Sequence, residues 1–333
     1  MQIFINGKEL QATLENEKNA FEVLKPIEEW CNSNFFLINK VIIDDKEYSS
    51  EIDDEYTNIS IDTISKIEIE ALTHSEYYLS SLLSIIEYIN IIAKTNSLES
   101  SDIDNLKDGL SWILDSLPRA IFLCNMNLET YNILHILKMI EVKLERLNTL
   151  TDNNADIKSI QDFFETDIKS FIIEKVIPTM EVVLEDAKIN TIIIFANNIT
   201  KENSLYKIGT LPTFLPLIQE ILDKVVSKLQ TGNDKDAFLY AEKFSRIVEF
   251  TFSIISTVAD IYSLDYSDIS FNNTNLKDYI ADFNDMMNNV LDAFSNEDYI
   301  SIADLLEYEI KDRIENIMNY IPEIEKHIEK LNV

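Results

Sequence analysis

Glycine is the scarcest informative residue in this chain: Gly7, Gly109, Gly209 and Gly232 stand alone among 333 residues, where about 7% would be ordinary. A backbone cradle for phosphate needs residues without a Cβ, so that several N–H groups can converge on an anion. With no GxGxxG, no P-loop and no nucleophile elbow, the usual nucleotide and dinucleotide enzymes are excluded. Basic residues are also short, 28 Lys+Arg against 59 Asp+Glu for a formal charge of -31. No basic patch emerges that could neutralise many phosphates, so nucleic acid and anionic membrane surfaces are poor partners. The three histidines, His74, His135 and His327, are scattered and form no Glu-x-x-His or H-E-x-x-H spacing. Neither a di-iron carboxylate bundle nor a zincin is supported. The two cysteines, Cys31 beside Trp30 and Cys124 after a run of apolar residues, read as buried free thiols with no sign of an oxidising compartment. Apolar runs such as Ile192–Ala196 and Ala120–Cys124 fall far short of the roughly 20 residues of a membrane span. The N-terminus shows no basic or apolar leader region, and the reading is of a cytoplasmic chain without a signal peptide or membrane insertion. No cofactor, metal or catalytic residue is singled out, and the expectation is a protein that is not an enzyme.

What is present is a large apolar complement, 46% of residues with 10% aromatic, enough for an extensive core in a globular α+β chain. Residues 1–72 differ from the rest. Met1–Ile5 and Leu10–Leu14 alternate around Asn6-Gly7, the strongest short-range hairpin signal. Phe21, Leu24, Ile27 and Trp30 follow at helical spacing, with Pro26 expected to kink or shorten that helix. Val41–Ile43, a turn at Asp44-Asp45, and the strictly alternating Ser65–Leu72 complete an order of hairpin, helix, strand, strand.

This order, closing on an amphipathic strand, resembles the ubiquitin-like β-grasp family, and the opening Met1-Gln2-Ile3-Phe4 coincides with ubiquitin's own start. The resemblance covers residues 1–72 and implies a fold and a docking role toward protein partners. Without a Gly-Gly after the last strand, it does not imply conjugation. A small cap on a helical body with no function of its own fits equally well.

From Thr73 onward the period is helical. Thr73-His74-Ser75-Glu76 has the form of a capping box ahead of Leu79, Leu82, Leu83, Ile86 and Ile89. Ser101–Asp104 starts a second helix, which Pro118 is expected to interrupt or end, and Glu129–Leu147 is a third. The spacing divides the body into a helical segment at 73–150 and a helical region at 151–333. A polar linker is expected at Asn148–Ala155, a break at Pro178, a helix over Met180–Ile199 and a loop over 200–210. Helices then follow at Leu211–Leu229, Lys235–Ile261, Asn275–Phe294, Asp298–Tyr320 and Ile321–Leu331, with Pro322 in a tolerated first-turn position.

The region 151–333 contains an internal duplication. Residues 156–172 (DIKSIQDFFETDIKSFI) and 298–314 (DYISIADLLEYEIKDRI) are identical at eight of 17 positions. A weaker third copy at Asp236–Phe252, with Phe238, Tyr240, Phe244 and Val248 as its bulky positions, stays an open option. The spacings do not match a standard solenoid, which favours consecutive helical bundles. Opposite the apolar stripe of the duplicated unit lie Asp304, Glu307, Tyr308 and Lys311, mirrored by Asp162, Glu165, Thr166 and Lys169. Two readings of this polar stripe stand: a solvated face with i,i+4 pairs, Glu307 with Lys311 and Glu165 with Lys169, or a shared partner-binding face.

The expected function is a protein-binding adaptor, scaffold or assembly chaperone. Its helical grooves would receive a basic partner or an amphipathic helix, with homo-oligomerisation a further option. The competing expectation is a small-ligand binder or enzyme with a pocket between bundles, near Phe250–Tyr266. A deep, partly apolar cavity would favour the pocket, and a shallow groove the adaptor. Ile302–Glu309 (IADLLEYE) resembles helical proteins of bacterial motility gene clusters, which implies a flagellar-assembly role as a minor alternative.

Overall fold

A computed structural model describes residues 1–10, 16–153 and 155–331. The fold is α+β, a small mixed sheet followed by a large helical region. It divides into two compact units, Met1–Thr191 and Ile192–Val333.

The first unit opens with β1 (Gln2–Ile5) and β2 (Lys8–Glu9), joined through Asn6 and Gly7, both at left-handed φ (50° and 75°). That geometry matches a type I′ turn, which explains the Asn-Gly pair. The Asn6 side chain donates to the Ala71 carbonyl (2.8 Å) and accepts from the Ala71 N–H (2.9 Å), which ties the turn to the last strand. Beyond Leu10, the strand expected at Leu10–Leu14 lies outside the described residues. Helix α1 (Ala20–Ser33), capped by Asn19, continues past Pro26. Val23, Leu24, Ile27 and Cys31 are buried on both sides of that proline, so packing offsets the lost backbone bond. β3 (Phe36–Ile43) and β4 (Lys46–Tyr48) follow, turning at Asp44 and Asp45, both with positive φ. β3 extends well before Val41, and β4 is an addition to the expected order.

β5 (Lys66–Thr73) closes the sheet in the order β2-β1-β5-β3-β4, parallel to β1 and antiparallel to β3. Its alternation buries Ile67, Ile69 and Ala71, as the strict period of two requires of a strand with one covered face. Thr73 ends β5 and also caps α2 (His74–Lys94). Glu76 N–H donates to Thr73 Oγ1 (3.4 Å), while Thr73 N–H donates to Glu76 Oε2 (2.8 Å). The capping box thus passes the chain from strand to helix with no linker.

Three expectations in the helical part of this unit are corrected. Helix α3 (Ile103–Leu123) continues through Pro118, because Leu117, Ala120 and Ile121 extend the buried stripe across it. Helix α4 (Ile133–Asp152) starts after the left-handed Asn132 and runs through most of the expected linker. There Thr149 Oγ1 and Thr151 Oγ1 bond to the carbonyls of Glu145 (2.9 Å) and Asn148 (2.8 Å), and Leu147 is fully buried. Pro178 does not break the chain either: α5 (Ile157–Phe163), π-helical turns at Phe164–Lys169 and Ile172–Val176, and α6 (Ile177–Phe195) succeed one another.

In the second unit the expected loop at 200–210 is helix α7 (Lys201–Thr210), started by Thr200 and Asn203 in a reciprocal capping pair. Lys207 explains why it folds there. Its side chain is buried at 4% exposure and donates to the carbonyls of Phe195 (3.0 Å), Asn198 (3.3 Å) and Asn197. A cation thereby satisfies the C-terminal end of α6, where the helix dipole favours positive charge. Then come α8 (Leu215–Gln230), α9 (Asp234–Tyr262), a two-residue hairpin β6 (Ser270–Phe271) and β7 (Thr274–Asn275), and α10 (Leu276–Ser295). α11 (Tyr299–Asp304), a π-helical turn at Leu305–Ile310, α12 (Lys311–Met318) and α13 (Ile321–Leu331) complete the unit.

The duplication extends beyond the 17-residue segments. Seven of the eight buried positions of α3, Leu106, Gly109, Leu110, Ile113, Leu117, Ala120 and Ile121, have the same spacing as seven of the nine of α9, Phe244, Ile247, Val248, Thr251, Ile255, Val258 and Ala259. Leu82, Ile85 and Ile89 of α2 match Leu222, Val225 and Leu229 of α8. Ile133, Ile140 and Leu147 of α4 match Leu276, Phe283 and Val290 of α10. The last helix of each set opens on Ile-Pro, at Ile177-Pro178 and Ile321-Pro322. Two five-helix modules therefore share one burial register. The segment Asp236–Phe252 lies within α9, the counterpart of α3.

Candidate functional site

The two repeated segments take the same local structure for the same reason. Asp156 Oδ1 accepts from Ser159 N–H (2.9 Å), and Ser159 Oγ donates to Asp156 Oδ2 (3.1 Å). Asp298 and Ser301 repeat this at 3.1 and 2.7 Å. Hydrogen bonds from the serine backbone and hydroxyl hold both carboxyls below the usual aspartate range. After the cap, buried residues recur every fourth position: Ile160, Phe164, Ile168, Ile172 and Val176, then Ile302, Leu306, Ile310, Ile314 and Met318. In an α-helix of 3.6 residues per turn such a stripe drifts by about 40° at each step. The wider π-helical turn in each copy takes up that drift and keeps the stripe on the core.

The polar stripe meets the first helix of its own module in each copy. Lys169 pairs with Glu165 (3.1 Å) and donates to the carbonyl of Thr95 at the end of α2 (2.8 Å). Lys311 instead reaches Asp223 of α8 (2.6 Å), and Gln230 Nε2 donates to Glu307 Oε2 (3.4 Å). The Glu307–Lys311 pair expected from spacing is thus replaced by pairs across helices. Asp304 and Tyr308 are exposed, as are Asp162 and Glu165, whereas Glu307, Lys311 and Lys169 are half-buried. Beside the second stripe, an open depression follows one face of α8, lined by Pro216, Gln219, Glu220, Asp223, Lys224, Ser227 and Lys228. Asp223 of the depression pairs with Lys311 of the stripe, so the two join as one charged surface.

The aromatic segment Phe250–Tyr266 is packed. Phe252 lies 5.0 Å from Phe283, and Tyr262 Oη is 3.0 Å from Ser204 Oγ. His135 is exposed, and His74 stacks on Tyr78 at 5.9 Å. Burial pushes the Cys31 and Cys124 thiols up to about 11, and both are free. Among the described residues no three His, Cys, Asp or Glu converge as a metal site, and no helix is long and apolar enough to cross a membrane.

Sequence reasoning missed an apolar surface at one end of the second module, where α9 begins, α10 ends and α11 begins. Phe238 is 5.7 Å from Phe294 and 6.1 Å from Tyr299, and Leu239, Leu291 and Ile300, near them in sequence on the same helices, are exposed. Phe238, one of the bulky positions of the third copy, is 43% exposed. Periodicity identifies apolar residues but cannot tell which of them another helix covers.

Residues 1–73 match the family described as the TP0873 N-terminal domain. Residues 208–331 match a domain of unknown function, DUF8042, a span that holds α8 to α13. No curated protein and no solved structure gives a significant match.

Proposed function

We propose that this chain is a non-enzymatic, cytoplasmic protein-binding adaptor, scaffold or assembly chaperone. The observation that carries the reading is the open, charged surface formed by the α8 depression and the Asp304, Glu307, Tyr308, Lys311 stripe. Small-molecule sites enclose most of their ligand, whereas this depression lies open to solvent along one face of α8, which favours a macromolecular partner. The N-terminal domain serves as a ubiquitin-like β-grasp docking module. Its strand order β2-β1-β5-β3-β4, with the first and last strands parallel, supports that assignment. Affinity capture from the native cell tests the reading. A stoichiometric heterologous partner, lost when Asp304→Ala and Glu307→Ala are combined at unchanged thermal stability, supports it. Recovery of the protein alone, or capture indifferent to the double substitution, removes this surface from consideration.

A further inference from the structure

The apolar end of the second module is not a requirement of its fold. In the shared burial register Leu291, Phe294 and Ile300 fall opposite Asn148, Thr151 and Lys158 of the first module. The same arrangement of helices therefore stands with polar residues at these places. Phe238 and Leu239 lie on the opening turns of α9, which begins earlier in the shared register than its counterpart α3. An exposed cluster of large apolar side chains favours association, and one that the fold does not need calls for an occupant. Leu291 is 57% exposed and Ile300 78%.

The rim specifies the chemistry of that occupant. Asp234, Asp292, Glu297 and Asp298 flank the cluster in sequence on the same three helix ends and outweigh the exposed Lys235 of α9. Desolvation and the charges of Asp234 and Glu297 raise the pKa of the Tyr299 hydroxyl. A second copy of this chain would bring the same acidic rim against itself, on a molecule already at -31, and like charges at an interface oppose binding. We propose that this patch seats a basic amphipathic helix of another protein. Its apolar face packs on Phe238, Phe294 and Tyr299, and its lysines or arginines meet the acidic rim. The proposal rests on the protein-binding reading above but uses different residues, so loss of the Asp304/Glu307 surface and loss of this one are separately visible.

The test uses the full chain and a labelled helical peptide of roughly 18 residues, five turns, built from leucine at i, i+3, i+4 spacing and lysine elsewhere. Its counterpart carries glutamate in place of lysine. The protein variant combines Leu291→Asn, the residue of the first module, with Ile300→Ser, so that the protein's charge is unchanged. Binding of the lysine peptide is expected to weaken by about tenfold or more in the variant, since apolar anchors dominate such interfaces. The melting temperature should stay the same, and salt should weaken binding to the natural protein. Equal binding by natural and variant protein would show only general attraction to an acidic molecule and overturn the proposal. So would absence of binding to the natural protein, or equal binding of the glutamate peptide. A dimer of the natural protein in sedimentation that the variant lacks would assign the patch to a second copy, and also overturn it.

Discussion

Gly109→Ala, in the middle of α3, should destabilise the protein even though alanine is the better helix former. A Cβ there would lie 1.7 Å from Tyr88 Oη and 2.1 Å from Tyr88 Cζ, so the tyrosine of α2 must leave its place. Leaving breaks the hydrogen bond from Tyr88 Oη to the Asn105 carbonyl (3.1 Å), worth about 1 kcal/mol. It also ends the edge-to-face contact with Trp112 at 5.8 Å, worth about 1 kcal/mol. Re-exposing the half-buried ring costs about 1 kcal/mol more. Against these stands the helix preference for alanine, about 1 kcal/mol, leaving a net loss of about 2 kcal/mol. With Tyr88→Ala already in place the obstruction is gone, and Gly109→Ala should then stabilise by up to about 1 kcal/mol. Urea unfolding of the four proteins, in a Trp30→Phe background so that Trp112 alone reports, measures this coupling. A stabilising Gly109→Ala in the natural sequence, or the same change in both backgrounds, would refute the close-approach reasoning.

Lys207→Met keeps the length and apolar stem of the side chain but leaves the carbonyls of Phe195, Asn197 and Asn198 without their buried cation. The loss should be about 2–4 kcal/mol, from charged hydrogen bonds and orphaned acceptors, read as a lower melting temperature; an unchanged melt would show that the lysine does not hold α7 to the end of α6. For the helix caps, Asp156 and Asp298 have lowered folded-state pKa values. Their contribution to stability is therefore present above the ordinary aspartate value of about 3.9 and lost as pH falls through the lowered values. Replacing both by Asn, which caps without titrating, should leave neutral stability nearly unchanged and flatten the acid limb of the urea midpoint against pH. An acid limb of the same steepness would argue against the two carboxylates.

Local chemistry was readable wherever neighbouring residues decide the outcome. Asn6-Gly7 makes its turn because both positions need left-handed backbone, and Thr73 with Glu76 starts α2 because each satisfies the other's free N–H. The repeated Asp-x-x-Ser segments cap their helices identically. Even the π-helical turns had a signal in sequence, the apolar residues at every fourth position in both copies, Ile160, Phe164, Ile168 and Ile172 and Ile302, Leu306, Ile310 and Ile314. The full extent of the duplication had none, since outside the 17-residue segments only the spacing of buried positions survives, in pairs as unlike as Gly109 and Ile247 or Ile113 and Thr251.

The sequence by itself therefore determined the caps, turns, repeated helix and fold class, because those depend on contacts a few residues long. Tertiary structure decided whether a breaker breaks: burial carries the helices through Pro26, Pro118 and the polar end of α4, and buried Lys207 makes a helix of an expected loop. It also decided which apolar side chains stay outside. Phe238, Leu291 and Ile300 are indistinguishable by residue type from core positions, and burial is settled by what another segment covers.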